Sequence, residues 1–210
     1  MDKKKLKDTY NKIAEDWHKD HEKDVWWVGG TDKFISLIKK SGRVLDVGCA
    51  GGTKSKYFIS KGLEVLGIDF SENLIEIAKR EVPKGEFRVL DVNDLDTLEE
   101  SFDGIFMQAV LLHIPRKEVE SVFTKAVDKL KTGGYLYVAV KDKIEGGTDE
   151  EVKKENDYGY DYERFFSYFS VSEMREYFEN SGLKIIYEDV LPSTRTARKS
   201  NWIQIIGVKN

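Results

Sequence analysis

The spacing of apolar residues changes once along the chain, from one helical stripe to an alternation of short apolar runs and amphipathic segments. Between residues 4 and 21 the apolar positions are Leu6, Tyr10, Ile13, Ala14 and Trp17. Their three- and four-residue spacing predicts a helix with one apolar face. Thr31 is placed to cap a second helix that ends near Gly42, with an aromatic loop at 25–30 between the two.

From residue 43 onward the pattern predicts a layered sheet. The predicted strands are residues 43–47, 63–68, 87–90, 103–107 and 135–140. Strands separated by helices over such lengths pair in parallel through right-handed crossovers. Two last runs, 184–190 and 202–208, follow one another without a helix and predict an antiparallel hairpin. We therefore expect an α/β fold with a doubly wound, Rossmann-like, mostly parallel seven-stranded sheet, an antiparallel C-terminal hairpin, helices on both faces and an N-terminal helical lid.

One segment departs from this alternation. Residues 142–170 are charged at first and then rich in aromatic side chains. We expect a single domain over 1–210, divided into an N-terminal helical cap (1–42), a ligand-binding core (43–141), a lid or insert (142–170) and a C-terminal helix and hairpin (171–210). The aromatic run either packs the insert or forms a pocket wall together with Trp26 and Trp27.

Composition excludes several classes of protein. Lys and Arg (34) nearly balance Asp and Glu (38) in the 210 residues, which argues against a general affinity for nucleic acid or anionic membranes. Cys49 is the only cysteine, so no intrachain disulfide forms, which suits a reducing compartment. The start of the chain does not have the pattern of a secretory signal, and no apolar run approaches the ~20 residues of a membrane span. We expect a cytoplasmic protein.

The candidate chemistry centres on residues 44–52, Val-Leu-Asp-Val-Gly-Cys-Ala-Gly-Gly. A strand that enters a glycine turn and opens a helix lets a ligand approach the backbone beside the helix N-terminus. The dinucleotide fingerprint Gly-x-Gly-x-x-Gly fails here, because Ala50 and Thr53 occupy its second and third positions. Asp46 would repel a phosphate, but it suits a ligand with an amino group and a cationic centre.

These features resemble the class I S-adenosylmethionine-dependent methyltransferases over roughly residues 9–209. The family's first motif, Asp-x-Gly-x-Gly-x-Gly, is matched by Asp46, Gly48 and Gly52. Ala50 replaces the middle glycine, which we expect to be tolerated if its φ stays negative. Cys49, inside this turn, is expected to be a small filler rather than a nucleophile.

The resemblance implies a cofactor site along successive strand ends. Asp69 corresponds to the acid that accepts both ribose hydroxyls, and Asp91 to the acid that accepts from the adenine amino group. The full implied set is Tyr10, Asp46, Gly48, Cys49, Ala50, Gly52, Asp69, Phe70, Asp91, Val92, Gln108 and Ala109. The cofactor would be S-adenosyl-L-methionine, which leaves as S-adenosyl-L-homocysteine.

The implied reaction is direct in-line transfer of a methyl group to an O, N or C nucleophile of a small molecule, with no metal and no protein nucleophile. His113, just past the fourth strand, is the candidate catalytic residue, as a base or an orienting group. It could instead cap the next helix or pack under the lid. We expect no nucleic-acid or membrane partner, and a monomer or homodimer.

Several alternatives stay open. A non-catalytic S-adenosylmethionine-binding protein would have the same motifs, and an NAD(P)-dependent Rossmann oxidoreductase would have a related sheet.

His18 and His21 lie in a polar stretch and are expected to be exposed. Arg195 and Arg198 would favour an acceptor with a carboxylate or phosphate if they faced the pocket.

Overall fold

The structure, a computed structural model, describes residues 2–192 and 200–210. The helices are α1 (Lys3–His21), α2 (Val28–Leu37), α3 (Thr53–Ser60), α4 (Glu72–Glu81), α5 (Arg116–Asp128) and α6 (Val171–Asn180). The strands are β1 (Arg43–Val47), β2 (Glu64–Asp69), β3 (Glu86–Val89), β4 (Phe102–Gln108), β5 (Leu130–Lys141), β6 (Glu150–Glu155), β7 (Tyr162–Ser167), β8 (Leu183–Leu191) and β9 (Trp202–Lys209). Arg195 and Arg198 lie outside the described residues.

Seven strands form one sheet in the order β3-β2-β1-β4-β5-β9-β8. Strands β1 to β5 are parallel, while β9 is antiparallel to both β5 and β8. The predicted doubly wound sheet with a C-terminal antiparallel hairpin is therefore confirmed. Strand order reverses between β1 and β4, and ligands of such sheets bind beyond the carboxyl ends of the strands at this point.

Apolar side chains bury both faces of the sheet. Leu45 and Ile105 pack on one face with Phe123 of α5, and Val44 and Phe106 pack on the other with helices α2 and α3. Burial on both faces explains why the parallel strands read as nearly continuous apolar runs. Within the part of the chain that the structure describes, no helix is long and apolar enough to cross a membrane.

The expected lid contains structure that the sequence did not predict. Strands β6 and β7 form a separate antiparallel two-stranded sheet, the lid hairpin. Every side chain of β6 is exposed or half-buried and all but one are charged, so the strand has no apolar alternation to detect. Helix α1 packs on α4 and β7 through an apolar cluster that includes Ile13, Leu74 and Tyr162.

The start of the second helix was predicted wrongly. Helix α2 begins at Val28, and Thr31 lies inside it rather than at its cap. Thr31 is fully buried, and its hydroxyl donates to the Trp27 carbonyl at 2.8 Å. A threonine that bonds a carbonyl four residues earlier is compatible with the helix interior, so the residue type alone did not locate the boundary.

Candidate active site

A cavity of about 390 Å³ lies at the carboxyl edge of the parallel strands. Its wall brings together nine of the sequence-predicted residues: Tyr10, Gly48, Ala50, Asp69, Phe70, Asp91, Val92, Ala109 and His113. Four others, Asp46, Cys49, Gly52 and Gln108, are buried behind this wall. Most of the predicted residues therefore gather at one cavity, although not every member of the set faces it.

The turn after β1 adopts left-handed backbone conformations. Gly48 has a φ of +67°, and a Cβ there would lie 2.6 Å from the Val110 side chain, so glycine is required. Ala50 has a φ of +48°. The condition set for tolerating Ala50, a negative φ, is not met, because its N–H turns inward to donate to Asp69 Oδ2 at 3.1 Å. A non-glycine residue in this region costs roughly 1–2 kcal/mol, which the turn must offset.

Asp69 is held by backbone donors from both sides. Its Oδ2 accepts from Ala50, and its Oδ1 accepts from the Ser71 N–H at 2.9 Å. Burial raises the pKa of Asp69 to about 6. Each carboxylate oxygen has a second lone pair, so the fixed group can still accept two hydroxyl donors from a ligand in the cavity.

Asp46 lies deeper, at the end of β1. The Ser55 hydroxyl of α3 donates to its Oδ2 at 2.6 Å. Burial raises the pKa of Asp46 to about 6. A cation that binds close to this carboxyl group would favour its charged form and lower that pKa again.

Asp91 follows β3 and fixes two neighbours. Its Oδ1 accepts from the Asn93 N–H at 2.8 Å and from the Lys3 ammonium at 2.9 Å. Asp91 therefore caps the turn that follows β3 and also lines the cavity. Lys3 was not predicted, because a basic run at a helix start normally indicates a solvated face.

His113 is neutral and engaged at both ring nitrogens. Its Nδ1 lies 2.6 Å from the Phe165 carbonyl, which only accepts, so Nδ1 donates. Its Nε2 therefore accepts from the Tyr10 hydroxyl at 2.7 Å. Burial and the nearby Arg164 guanidinium lower the pKa of His113 to about 3. A histidine in this state is a weak base, and its only lone pair is already occupied.

Sequence reasoning missed the buried ion pair behind Tyr10. Arg164 and Glu155 are joined by a bidentate contact, with Nη2 to Oε1 at 2.7 Å, and both side chains are less than 10% exposed. Arg164 Nη1 also donates to the Tyr10 hydroxyl at 3.5 Å. The pair forms only when β6 and β7 align, so the sequence carried no local signal for it.

His18 is placed differently from expectation, and the two tryptophans considered for a pocket wall lie outside the 390 Å³ cavity. His18 is buried, only 7% exposed, and packs so closely over Gly51 that a side chain at Gly51 would overlap its ring. Trp26 stacks on Trp202 with a 4.4 Å centroid separation, and Trp27 lies edge-on to Tyr57 of α3. Neither Trp26 nor Trp27 belongs to the described wall of the 390 Å³ cavity. The expected exposure is therefore wrong for His18, and His21 is only half-buried rather than exposed, because its ring stacks on Trp17.

Comparisons with known proteins agree with this geometry. Residues 44–134 match the model of a family described as a methyltransferase domain. The ubiquinone biosynthesis O-methyltransferase of Dechloromonas aromatica is 34% identical over 113 residues, which are 51% of this chain and 47% of the relative. That of Coxiella burnetii is 28% identical over 154 residues, 65% of this chain and 61% of the relative. The chain spans about half the length of the curated relatives it matches.

Solved structures share the fold over nearly the whole chain. A methyltransferase from Methanosarcina mazei superposes with a TM-score of 0.72 at 23% identity, covering 83% of this chain and 95% of that one. The 1,6-didemethyltoxoflavin-N1-methyltransferase of Burkholderia thailandensis gives 0.75 at 15% identity, covering 98% and 87%. The fold is that of the class I S-adenosylmethionine-dependent methyltransferases. The resemblance drawn from the motifs is thereby confirmed.

Proposed function

We propose that this protein binds S-adenosylmethionine in the 390 Å³ cavity and transfers its methyl group to an O, N or C nucleophile of a small molecule. The observation that carries the proposal is Asp69, fixed by two backbone N–H groups at the cavity wall. Asp46 and Asp91 end the strands on either side of β2. Three carboxylates in this row fit a ligand with an ammonium, a ribose diol and an adenine amino group.

The residues of the chain would bind and orient the reactants. When bound, S-adenosylmethionine supplies a methyl group that is already activated towards nucleophiles. Asp69 would accept the ribose hydroxyls, Asp91 the adenine amino group, and Asp46 would stabilise the ammonium. Helix α1 and the lid hairpin would exclude water, and alignment alone can contribute several kcal/mol to the rate.

For His113 we propose a positioning role rather than that of a base. Its Nε2 holds the Tyr10 hydroxyl against the cavity, and a pKa of about 3 makes it a poor proton acceptor at neutral pH. The pH–rate profiles of the wild type and His113→Gln should then have the same shape. An inflection that only the variant loses would instead identify His113 as the base.

The named relatives support a small-molecule acceptor, since one acts in ubiquinone biosynthesis and one solved neighbour acts on a didemethyltoxoflavin. A single catalytic domain over 1–210, a lid at 142–170, a cytoplasmic location and a monomeric or dimeric state are parts of the same proposal. A protein that only binds the cofactor is the second candidate. The observation that favours it is that both ring nitrogens of His113 are already hydrogen-bonded, so this histidine is not free to act as a base. Transfer of labelled methyl groups into a metabolite extract distinguishes the two.

Thermal unfolding with S-adenosylmethionine, S-adenosylhomocysteine, NADH, NADPH and ATP tests cofactor binding. A ligand at 100-fold its Kd should add about 2.7 kcal/mol to the free energy of unfolding. We expect this for the two adenosyl ligands and not for NADH or NADPH. Asp69→Ala should remove the effect, whereas Asp128→Ala, an exposed position on α5, should keep it. Stabilisation by NADH alone would contradict the proposal.

A further inference from the structure

Five buried polar atoms have no hydrogen-bond partner among residues 2–192 and 200–210. They are Trp27 Nε1, Gln108 Oε1, the Tyr137 hydroxyl and both Gln204 amide atoms. All four side chains are at most 8% exposed. Buried polar atoms are nearly always paired in native proteins, because an unpaired one loses its water without compensation. So many unpaired atoms in one region indicate that something else supplies their partners.

Strand register places three of these side chains on one face. Gln108 of β4 pairs with Ala139 of β5, and Ala139 pairs with Gln204 of β9. Paired residues point to the same side of a sheet, and so does Tyr137, two residues before Ala139. One row across the sheet therefore consists of Gln108, Ala139 and Gln204. The Tyr137 phenol lies on the same face in the next row, further from the carboxyl ends of the parallel strands. Ala139, between the two amides, is itself fully buried and has no polar side-chain atom to offer either of them.

Helix α2 comes unusually close to this row. A Cβ on Gly30 would overlap the Gln204 amide oxygen and would lie 3.2 Å from the Tyr137 hydroxyl. Only glycine permits this approach of the helix to the two polar groups. Trp27, whose indole N–H is also unpaired, directly precedes the same helix.

Aromatic rings form the next row toward the carboxyl edge of the sheet. Trp202 lies two residues before Gln204 on β9, on the same face, and Trp26 stacks on it. The Lys141 ammonium lies 4.6 Å from the Phe166 ring centroid and 5.9 Å from that of Trp202. The polar row thus has aromatic rings between it and the lid hairpin.

We infer that these residues form the acceptor subsite, and that it binds a planar, uncharged ring whose edge carries a hydrogen-bond donor beside an acceptor. This inference rests on the proposed function. The Gln204 amide offers one donor and one acceptor side by side, the pairing with which glutamine reads an adenine edge. None of the five unpaired atoms is ionised, since burial raises the pKa of Tyr137 and keeps its phenol neutral. Gln108 directly precedes Ala109 of the cofactor cavity wall, so the ring would lie next to the transferred methyl group.

The probe for this subsite is 2-pyridone, whose N–H and C=O lie side by side on a flat ring. Binding is followed on the protein saturated with S-adenosylhomocysteine, through the indole N–H signals in a ¹H–¹⁵N spectrum. Signals of Trp26, Trp27 and Trp202 should shift saturably, while that of Trp17, stacked on His21 in α1, should not. N-Methyl-2-pyridone, which lacks the donor, should bind more weakly, and benzoate should not compete.

The matched variants are Gln204→Leu and Ile205→Leu. Gln204→Leu removes both unpaired amide atoms, so it should weaken 2-pyridone binding roughly tenfold or more. Its thermal midpoint should stay the same or rise, since no hydrogen bond in the described chain is lost. Ile205 is buried on the opposite face of β9, so Ile205→Leu should leave 2-pyridone affinity unchanged.

The outcomes separate this inference from the proposed function. No shift with S-adenosylhomocysteine alone would count against the proposed function, independently of any pyridone result. Normal S-adenosylhomocysteine binding with equal 2-pyridone affinity in wild type and Gln204→Leu would overturn the subsite. So would preferential binding of benzoate, which indicates an anion site. A large fall in the thermal midpoint of Gln204→Leu without any pyridone binding would assign the polar row to buried water only.

Discussion

Ala50 shows how far a single residue can depart from its sequence interpretation. The motif indicated that this position borders the cofactor, and the residue does line the cavity. Its left-handed φ was not predictable, because the cause is a hydrogen bond to Asp69, nineteen residues away. By contrast, the position of Asp46, Asp69 and Asp91 near the carboxyl ends of three parallel strands was predictable, since each comes at the end of an apolar run.

The strain at Ala50 predicts a stabilising substitution. Ala50→Gly should relieve roughly 1–2 kcal/mol of left-handed cost and add about 0.5–1 kcal/mol of chain entropy. The net expectation is an unchanged or increased free energy of unfolding, by up to about 1.5 kcal/mol, measured by urea denaturation. Ala126→Gly, inside helix α5, is the control and should lose about 1 kcal/mol or more. Equal losses in both variants would show that Ala50 is not strained.

The helices and strands that could be predicted from the sequence are those with a periodic pattern of apolar residues. The parallel strands and their helices were predicted because they bury apolar faces, whereas β6 consists mainly of charged side chains. Strand β7 of the lid hairpin packs through apolar side chains such as Tyr162, and polar groups add a second connection to the rest of the molecule. The Arg164–Glu155 pair connects the hairpin to Tyr10 of α1, and Tyr10 connects to His113 after β4. Such a hydrogen-bond network forms only in the folded chain, so no local sequence pattern predicts it.

Removing one partner of the Arg164–Glu155 pair should lower the free energy of unfolding more than removing both partners. Arg164→Leu leaves the buried Glu155 without its guanidinium partner and should destabilise the protein by roughly 3–5 kcal/mol. The double variant Arg164→Leu/Glu155→Leu should recover much of that loss, because the buried carboxylate is removed together with its guanidinium partner. Urea denaturation measures both effects.

An exposed pair provides the comparison for this prediction. Arg80 and Glu15 are each more than half exposed, so solvent screens their attraction and Arg80→Leu should destabilise the protein far less than Arg164→Leu. Similar losses for Arg164→Leu and Arg80→Leu would mean that the lid pair is not effectively buried. A double variant as unstable as Arg164→Leu alone would assign the loss to packing rather than to charge.

For the whole molecule, the doubly wound sheet and its C-terminal hairpin could be predicted from the sequence. Which side chains lie next to one another across the strands could not. The register that aligns Gln108, Ala139 and Gln204 depends on strands far apart in the chain. The two raised carboxyl pKa values are likewise a property of the assembled core. Asp46 and Asp69 ionise near pH 6 in the folded state against 3.8 ordinarily.

These two groups predict how stability depends on pH. The folded state binds their protons more tightly than the unfolded chain, so the stabilisation is complete below about pH 3.8 and is lost as pH rises through about 6. Each contributes at most roughly 3 kcal/mol to that change. Asp46→Asn should therefore flatten the fall in the free energy of unfolding between pH 4 and 7.

Urea denaturation across this pH range, compared between wild type and variant, isolates the contribution of Asp46. Other carboxyl groups with lowered pKa values, such as Asp103, act in the opposite direction and cancel in the difference. Asp128→Asn is the control and should follow the wild-type curve. Parallel curves for all three proteins would show that Asp46 has an ordinary pKa.

The strand order also bears on how such a protein can diverge. The acidic residues proposed for the cofactor lie at the carboxyl ends of β1, β2 and β3. The unpaired glutamines and phenol lie on β4, β5 and β9, across the reversal point of the sheet. After a gene duplication, one copy can therefore alter the second half of the sheet and the lid hairpin while the first half stays under selection for the cofactor. New acceptors would then be acquired by drift and selection in one half of the molecule, with the shared donor retained in the other.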